Sequence, residues 1–94
     1  MKHEFGRKMC WGRMRVKRWY CAIELSRYCG LTAQEVGHFL GVVHRIDGNV
    51  ISKREKYIQT AYGNAKTTFW RKDEDVSFEG LKEMFFEIWG SKQS

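Results

Sequence analysis

The chain has no proline, no Cys-x-x-Cys pair and no apolar run longer than a few residues, and each lack removes a class of protein. Runs such as Phe39-Leu40 and Val42-Val43, parted by Gly41, are too short to span a bilayer, so no membrane role is expected. Residues 1–20 open basic but lack the apolar stretch and small-residue cleavage site of a secretory signal, which points to the cytoplasm. No Gly/Ser tract, low-complexity segment or internal repeat marks a linker, so 94 residues read as one domain. Three cysteines, Cys10, Cys21 and Cys29, are an odd number and a poor disulfide scaffold; they read as reduced, mostly buried thiols. Cys21, Cys29, His38 and His44 are zinc-ligand types, but nothing in their spacing holds a metal from one tight turn, and no metal or cofactor is expected. There is also no phosphate-cradling Gly loop, no nucleophile elbow and no inward pair of carboxylates, with Asp73-Glu74-Asp75 reading as a solvated run. An enzyme is therefore not expected.

What is present is charge, unevenly placed. Residues 1–20 hold Lys2, Arg7, Lys8, Arg13, Arg15, Lys17 and Arg18 against Glu4, a local +6 equal to the net charge of the whole chain. Residues 73–94 hold Asp73, Glu74, Asp75, Glu79, Glu83 and Glu87 against Lys82 and Lys92, a local −4. A concentrated basic segment favours a polyanion, and nucleic acid is the most abundant one. At 43% hydrophobic and 30% charged residues, the chain can still build a core.

Apolar spacing gives an all-α reading, a small helical bundle preceded by a flexible basic arm over residues 1–12, with residues 13–94 as the helical domain. A first helix runs from Arg13 to Cys29 and stops at Gly30. Leu31-Thr32-Ala33-Gln34-Glu35 is a capping box with Thr32 as cap and Glu35 reaching back, opening a short helix from Ala33 to Leu40 that Gly41 ends. Val42 to Ser52 is ambiguous: β-branched runs flank Asp47-Gly48-Asn49 as in a hairpin over Val43–Ile51, while Lys53 to Gln59 favours a helix over Asn49 to Ala61. Tyr62 to Lys72 reads as a connection anchored by Phe69 and Trp70. A last helix carries Phe78, Leu81, Phe85, Ile88 and Trp89 and ends at Gly90.

A capped short helix, a turn at Gly41 and a polar-fronted second helix predict a helix-turn-helix, the second helix entering the DNA major groove. Arg45 and Asn49 suit base edges, guanidinium for guanine and amide for adenine. His44, Ser52, Lys53 and Lys56 offer further donors, and Lys53, Arg54 and Lys56 suit phosphate. Arg13, Arg15, Lys17 and Arg18 grip backbone from the opening of the first helix, and Thr32 and Gln34 complete the set. Among the aromatics, Trp19, Trp70 and Trp89 read as core. Trp11, between Lys8 and Arg13, is left open to stack on a base or enter a minor groove.

Ala22 to Gly41, followed by a helix ending in Lys53-Arg54-Glu55-Lys56-Tyr57-Ile58, resembles the duplex-binding domain of the bacterial replication initiator DnaA, a Trp-repressor-like helix-turn-helix group. The resemblance covers Arg13 to Ile58 and implies an isolated DNA-binding module. Of the family's Asp-His-Thr-Thr run only Asp47 is matched, so its site specificity does not carry over.

The expected function is a duplex-DNA-binding regulator of transcription or replication, of phage or mobile-element type, nucleoid-associated. Its partners are double-stranded DNA and, because such regulators often dimerise, a second copy. The alternative is an interaction module that docks on a host protein through the basic front or the acidic last helix.

Overall fold

Thr32 marks the best-defined start in the chain. Its hydroxyl accepts the Glu35 N–H at 3.1 Å while the Glu35 carboxylate accepts the Thr32 N–H at 3.0 Å, which satisfies two otherwise orphaned donors. The computed structural model describes residues 2–85, and in it this box opens α3, Ala33–Ile46. Gly30, in the left-handed region at φ 73°, ends the preceding α2, Ala22–Cys29, where a side chain would be strained. Three residues thus turn one helix into the next.

The remaining elements are α1 (Lys2–Arg13), β1 (Trp19–Cys21), β2 (Ile51–Thr60), β3 (Gly63–Lys72) and α4 (Phe78–Phe85). The strands form one antiparallel sheet in the order β1-β3-β2. The fold is therefore α+β, which corrects the all-α expectation. The segment Asn49 to Ala61, expected as the second helix of a helix-turn-helix, is mostly strand β2. In this long hairpin Ser52 faces Arg71 and Thr60 faces Gly63. Ala61-Tyr62 makes the turn, so the hairpin is not the one foreseen over Val43–Ile51. Lys53-Arg54-Glu55-Lys56 has high helix propensity, but pairing with Thr67-Thr68-Phe69-Trp70, rich in strand formers, overrides it.

Two further differences set the frame of the molecule. Gly41 does not end α3; Val42 and Val43 are buried beyond it, and the helix closes at Asp47, whose N–H donates to the Val43 carbonyl at 2.9 Å. The segment expected as a loose arm is helix α1, with Cys10, Trp11 and, just after it, Met14 in the core. Trp11 docks α1, its indole N–H donating to the Val76 carbonyl at 2.6 Å. Lys72 Nζ lies 4.6 Å from the Trp11 ring centroid and 3.4 Å from the Trp11 carbonyl. Burial pushes that lysine below 10.5, only partly offset by Asp75. At Gly6 a Cβ would stand 2.7 Å from the Leu31 side chain, so α1 crosses the α2–α3 turn at a distance only glycine permits.

The core lies between the helices and the inner sheet face, where Leu25, Val36, Leu40, Val43, Tyr20, Ile51 and Trp70 meet. Each large apolar side chain buried there contributes about 1.5–3 kcal/mol. In α4, Phe78 and Leu81 are buried; Ile88, Trp89 and Gly90 lie outside the described residues.

Candidate nucleic-acid interface

Helix α3 buries Val36, Phe39, Leu40 and Val43, and the opposite stripe is what it offers outward. That stripe runs Gln34, Gly37, His38, Gly41, Arg45 at steps of about one helical turn, with Gln34, His38 and Arg45 exposed. A Cβ at Gly37 would meet open space, and one at Gly41 would make ordinary contact with Trp70 at 3.8 Å. Packing demands neither glycine. At Gly37 the helix backbone is bare toward the cleft, while at Gly41 it lies against Trp70.

Beside this stripe lies an open cleft of about 410 Å³. Gly37 and Gly41 form one wall, the start of α2 at Cys21, Ala22 and Ile23 another, and Lys53, Lys66, Thr68 and Trp70 the third. Cys21 supplies no side-chain cap to α2, so its first N–H groups are left to solvent or ligand. Glu55 stands between the two lysines, 2.7 Å from Lys66 Nζ and 3.5 Å from Lys53 Nζ. Hydrogen bonding from Lys66 holds the Glu55 carboxyl below the usual range and lifts the Lys66 ammonium. Lys53 also lies 5.8 Å from the Trp70 ring centroid. The cleft is thus cationic by one charge, held in place by an internal carboxylate.

The residues singled out from the sequence do not converge on one surface. Thr32 spends its side chain on the cap. Gln34 and Arg45 share the α3 stripe, whereas His44 is half-buried with its ring 6.4 Å from that of Trp70. Asn49 sits in the turn after α3, its N–H on the Asp47 carboxylate at 2.9 Å. Ser52 and Lys56 point to the outer sheet face and Lys53 to the cleft, by the alternation of β2. Arg13 lies 5.0 Å from the Tyr28 ring centroid and Arg18 5.4 Å from that of Tyr20, while Arg15 is exposed. Lys17, at φ 69°, pairs with Asp73 at 3.7 Å. Burial pushes Asp73 up, but hydrogen bonds from Ser52 and Arg71 and the charges of Arg71 and Lys17 outweigh it and hold the carboxyl low.

His38, Gly37, Gly41 and Lys66 were missed as site residues. The signal was available in the 3–4 spacing of Gln34, His38, Gly41 and Arg45, but ending the helix at Gly41 hid it. Trp11, left open as a stacking residue, is 1% exposed and structural. Cys10 and Cys29 are buried thiols; burial first, then the neighbouring Cys29 thiol, pushes Cys10 up to about 12. Among the described residues no three His, Cys, Asp or Glu side chains gather as a metal site, and no helix is long and apolar enough to cross a membrane.

Comparison with family models, with curated proteins and with solved structures found no match to this chain. The initiator-domain resemblance needed a helix over Asn49 to Ala61, and strand β2 stands there instead.

Proposed function

We propose that the protein binds duplex DNA as a small regulator of transcription or replication in the cytoplasm, with α3 in the major groove and the cleft-side hairpin against the backbone. The observation that carries this reading is the α3 stripe, a capped helix whose outward side bears Gln34, His38 and Arg45 beside a backbone left bare at Gly37. An α-helix with side chains is about 10–12 Å across and the major groove about 12 Å wide, so a helix side thinned at Gly37 enters deeply. Gln34 offers an amide that suits adenine and Arg45 a fork that suits guanine. Lys53, Lys66 and the uncapped start of α2 supply positive partners for phosphate at the flank.

The test is anisotropy titration of a labelled mixed-sequence duplex at 50 and 200 mM salt. With about four phosphate contacts the affinity should fall about 100-fold between the two conditions. Undetectable duplex binding at the lower salt overturns the reading.

A further inference from the structure

The side of the sheet that faces away from the helices carries no buried side chain. Two cross-strand rows cross it, Trp19–Arg71–Ser52 and Cys21–Phe69–Arg54, and Lys56 continues the face toward the hairpin tip. Trp19 and Phe69 are diagonal neighbours, about 7–8 Å apart by sheet geometry, and both are partly exposed. Trp19 was expected in the core; the strand alternation that buries Tyr20 turns it outward.

Apart from Asp73 at its edge, the charged side chains of this face are cations. Arg71 lies 5.1 Å from the Trp19 ring centroid. Arg54 and Lys56 have no carboxylate partner among the described residues. Asp73, at the edge, is consumed by Arg71 Nε at 2.6 Å, by Lys17 and by the Ser52 hydroxyl. Glu55 points to the opposite face. Aromatic rings interleaved with unneutralised cations on an open sheet suit a ligand that presents free base faces and a phosphate chain together. A duplex hides its base faces, and an acidic polypeptide has none.

We propose that the outer face of the β1-β3-β2 sheet binds single-stranded nucleic acid, with Trp19 and Phe69 stacking on bases and Arg54 and Lys56 holding phosphates. The face is distinct from the α3 stripe, so this site stands or falls independently of duplex binding.

The experiment titrates the full chain with fluorescein-labelled twelve-nucleotide oligothymidylate and oligouridylate, with the mixed-sequence duplex in parallel. Wild-type protein should bind one or both single strands. Trp19→Leu and Phe69→Leu should each lower that affinity about tenfold while leaving duplex affinity unchanged. Because Trp19→Leu and Phe69→Leu perturb the sheet, Arg54→Gln/Lys56→Gln, confined to exposed side chains, is the second probe. It should weaken single-strand binding several-fold and flatten its salt dependence by one to two contacts. The proposal is overturned by no single-strand binding, by affinity unaltered in all three folded variants, or by an oligoglutamate binding at Trp19 and Phe69 in place of the oligonucleotides.

Discussion

On the surface shared by α1 and α4, Lys8 meets Glu79 at 3.8 Å and Lys82 meets Glu4. On the surface of α3, Arg45 meets no carboxylate among the described residues and Gly37 leaves the backbone open. The first surface is rich in charge and answers its cations from within the molecule; the second carries the single cation Arg45 and does not. The difference changes what the basic front of the sequence means. Of the cations in residues 1–20, Lys8 and Lys17 are paired with carboxylates and Arg13 and Arg18 lie over tyrosine rings. Arg7 and Arg15 are left without such partners among the described residues. Part of the acidic tail, puzzling beside a DNA-binding reading, is explained as the counter-charge of α1. Unneutralised charge, rather than summed charge, marks the candidate interface.

The sharpest way to break this comparison is to make the same charge change on each surface. Arg45→Glu and Lys8→Glu produce chains of equal net charge. The first should cost duplex affinity about 10- to 100-fold and the second less than about twofold, read by anisotropy with a labelled duplex. Equal losses would mean that only the sum matters. Gly37→Ala comes next. The position has room, so the variant should gain up to about 1 kcal/mol of thermal stability from helix propensity, yet lose about tenfold in duplex affinity. Stability and binding moving together would remove the role given to the bared backbone.

Smaller effects follow from the internal carboxylates. Glu55→Gln frees Lys53 and Lys66 and should raise duplex affinity about two- to fivefold at low salt, with a steeper salt slope. On the α1–α4 surface, the hydrogen bond and charge of Lys82 hold the Glu4 carboxyl below 4.5. A carboxyl lowered on folding contributes stability that is present above its unfolded value and is lost as pH falls through its folded value. Thermal midpoints of wild type and Glu4→Gln should therefore differ slightly at pH 6 and converge as pH falls through the folded value of the Glu4 carboxyl, a small effect because both groups are exposed.

How far this was legible in the sequence depended on how local the deciding interactions are. Thr32, Glu35 and Gly30 act within one turn of chain, so the α2–α3 junction could be read directly. The stripe Val36, Phe39, Leu40 was equally plain. Gly41 misled because its cost in a helix, about 1 kcal/mol, is smaller than the gain from burying Val42 and Val43 after it. The hairpin was missed because Lys53 to Lys56 are strand only through their partners at Thr67 to Trp70, more than ten residues away. That error moved the expected reading helix onto a strand. Two tryptophans differ from expectation for other reasons: Trp11, left open beside its cations, is buried by the docking of α1, and Trp19, expected in the core, is turned out by β1.

The most direct test of the account is to map amide chemical shifts of the labelled chain on titration with a mixed-sequence duplex at 50 mM salt. The largest shifts should fall on Gln34 to Arg45 and on Lys53, Lys66 and the first residues of α2, with α1 and α4 little changed. Shifts concentrated on α1 and α4, with the α3 stripe silent, would contradict it.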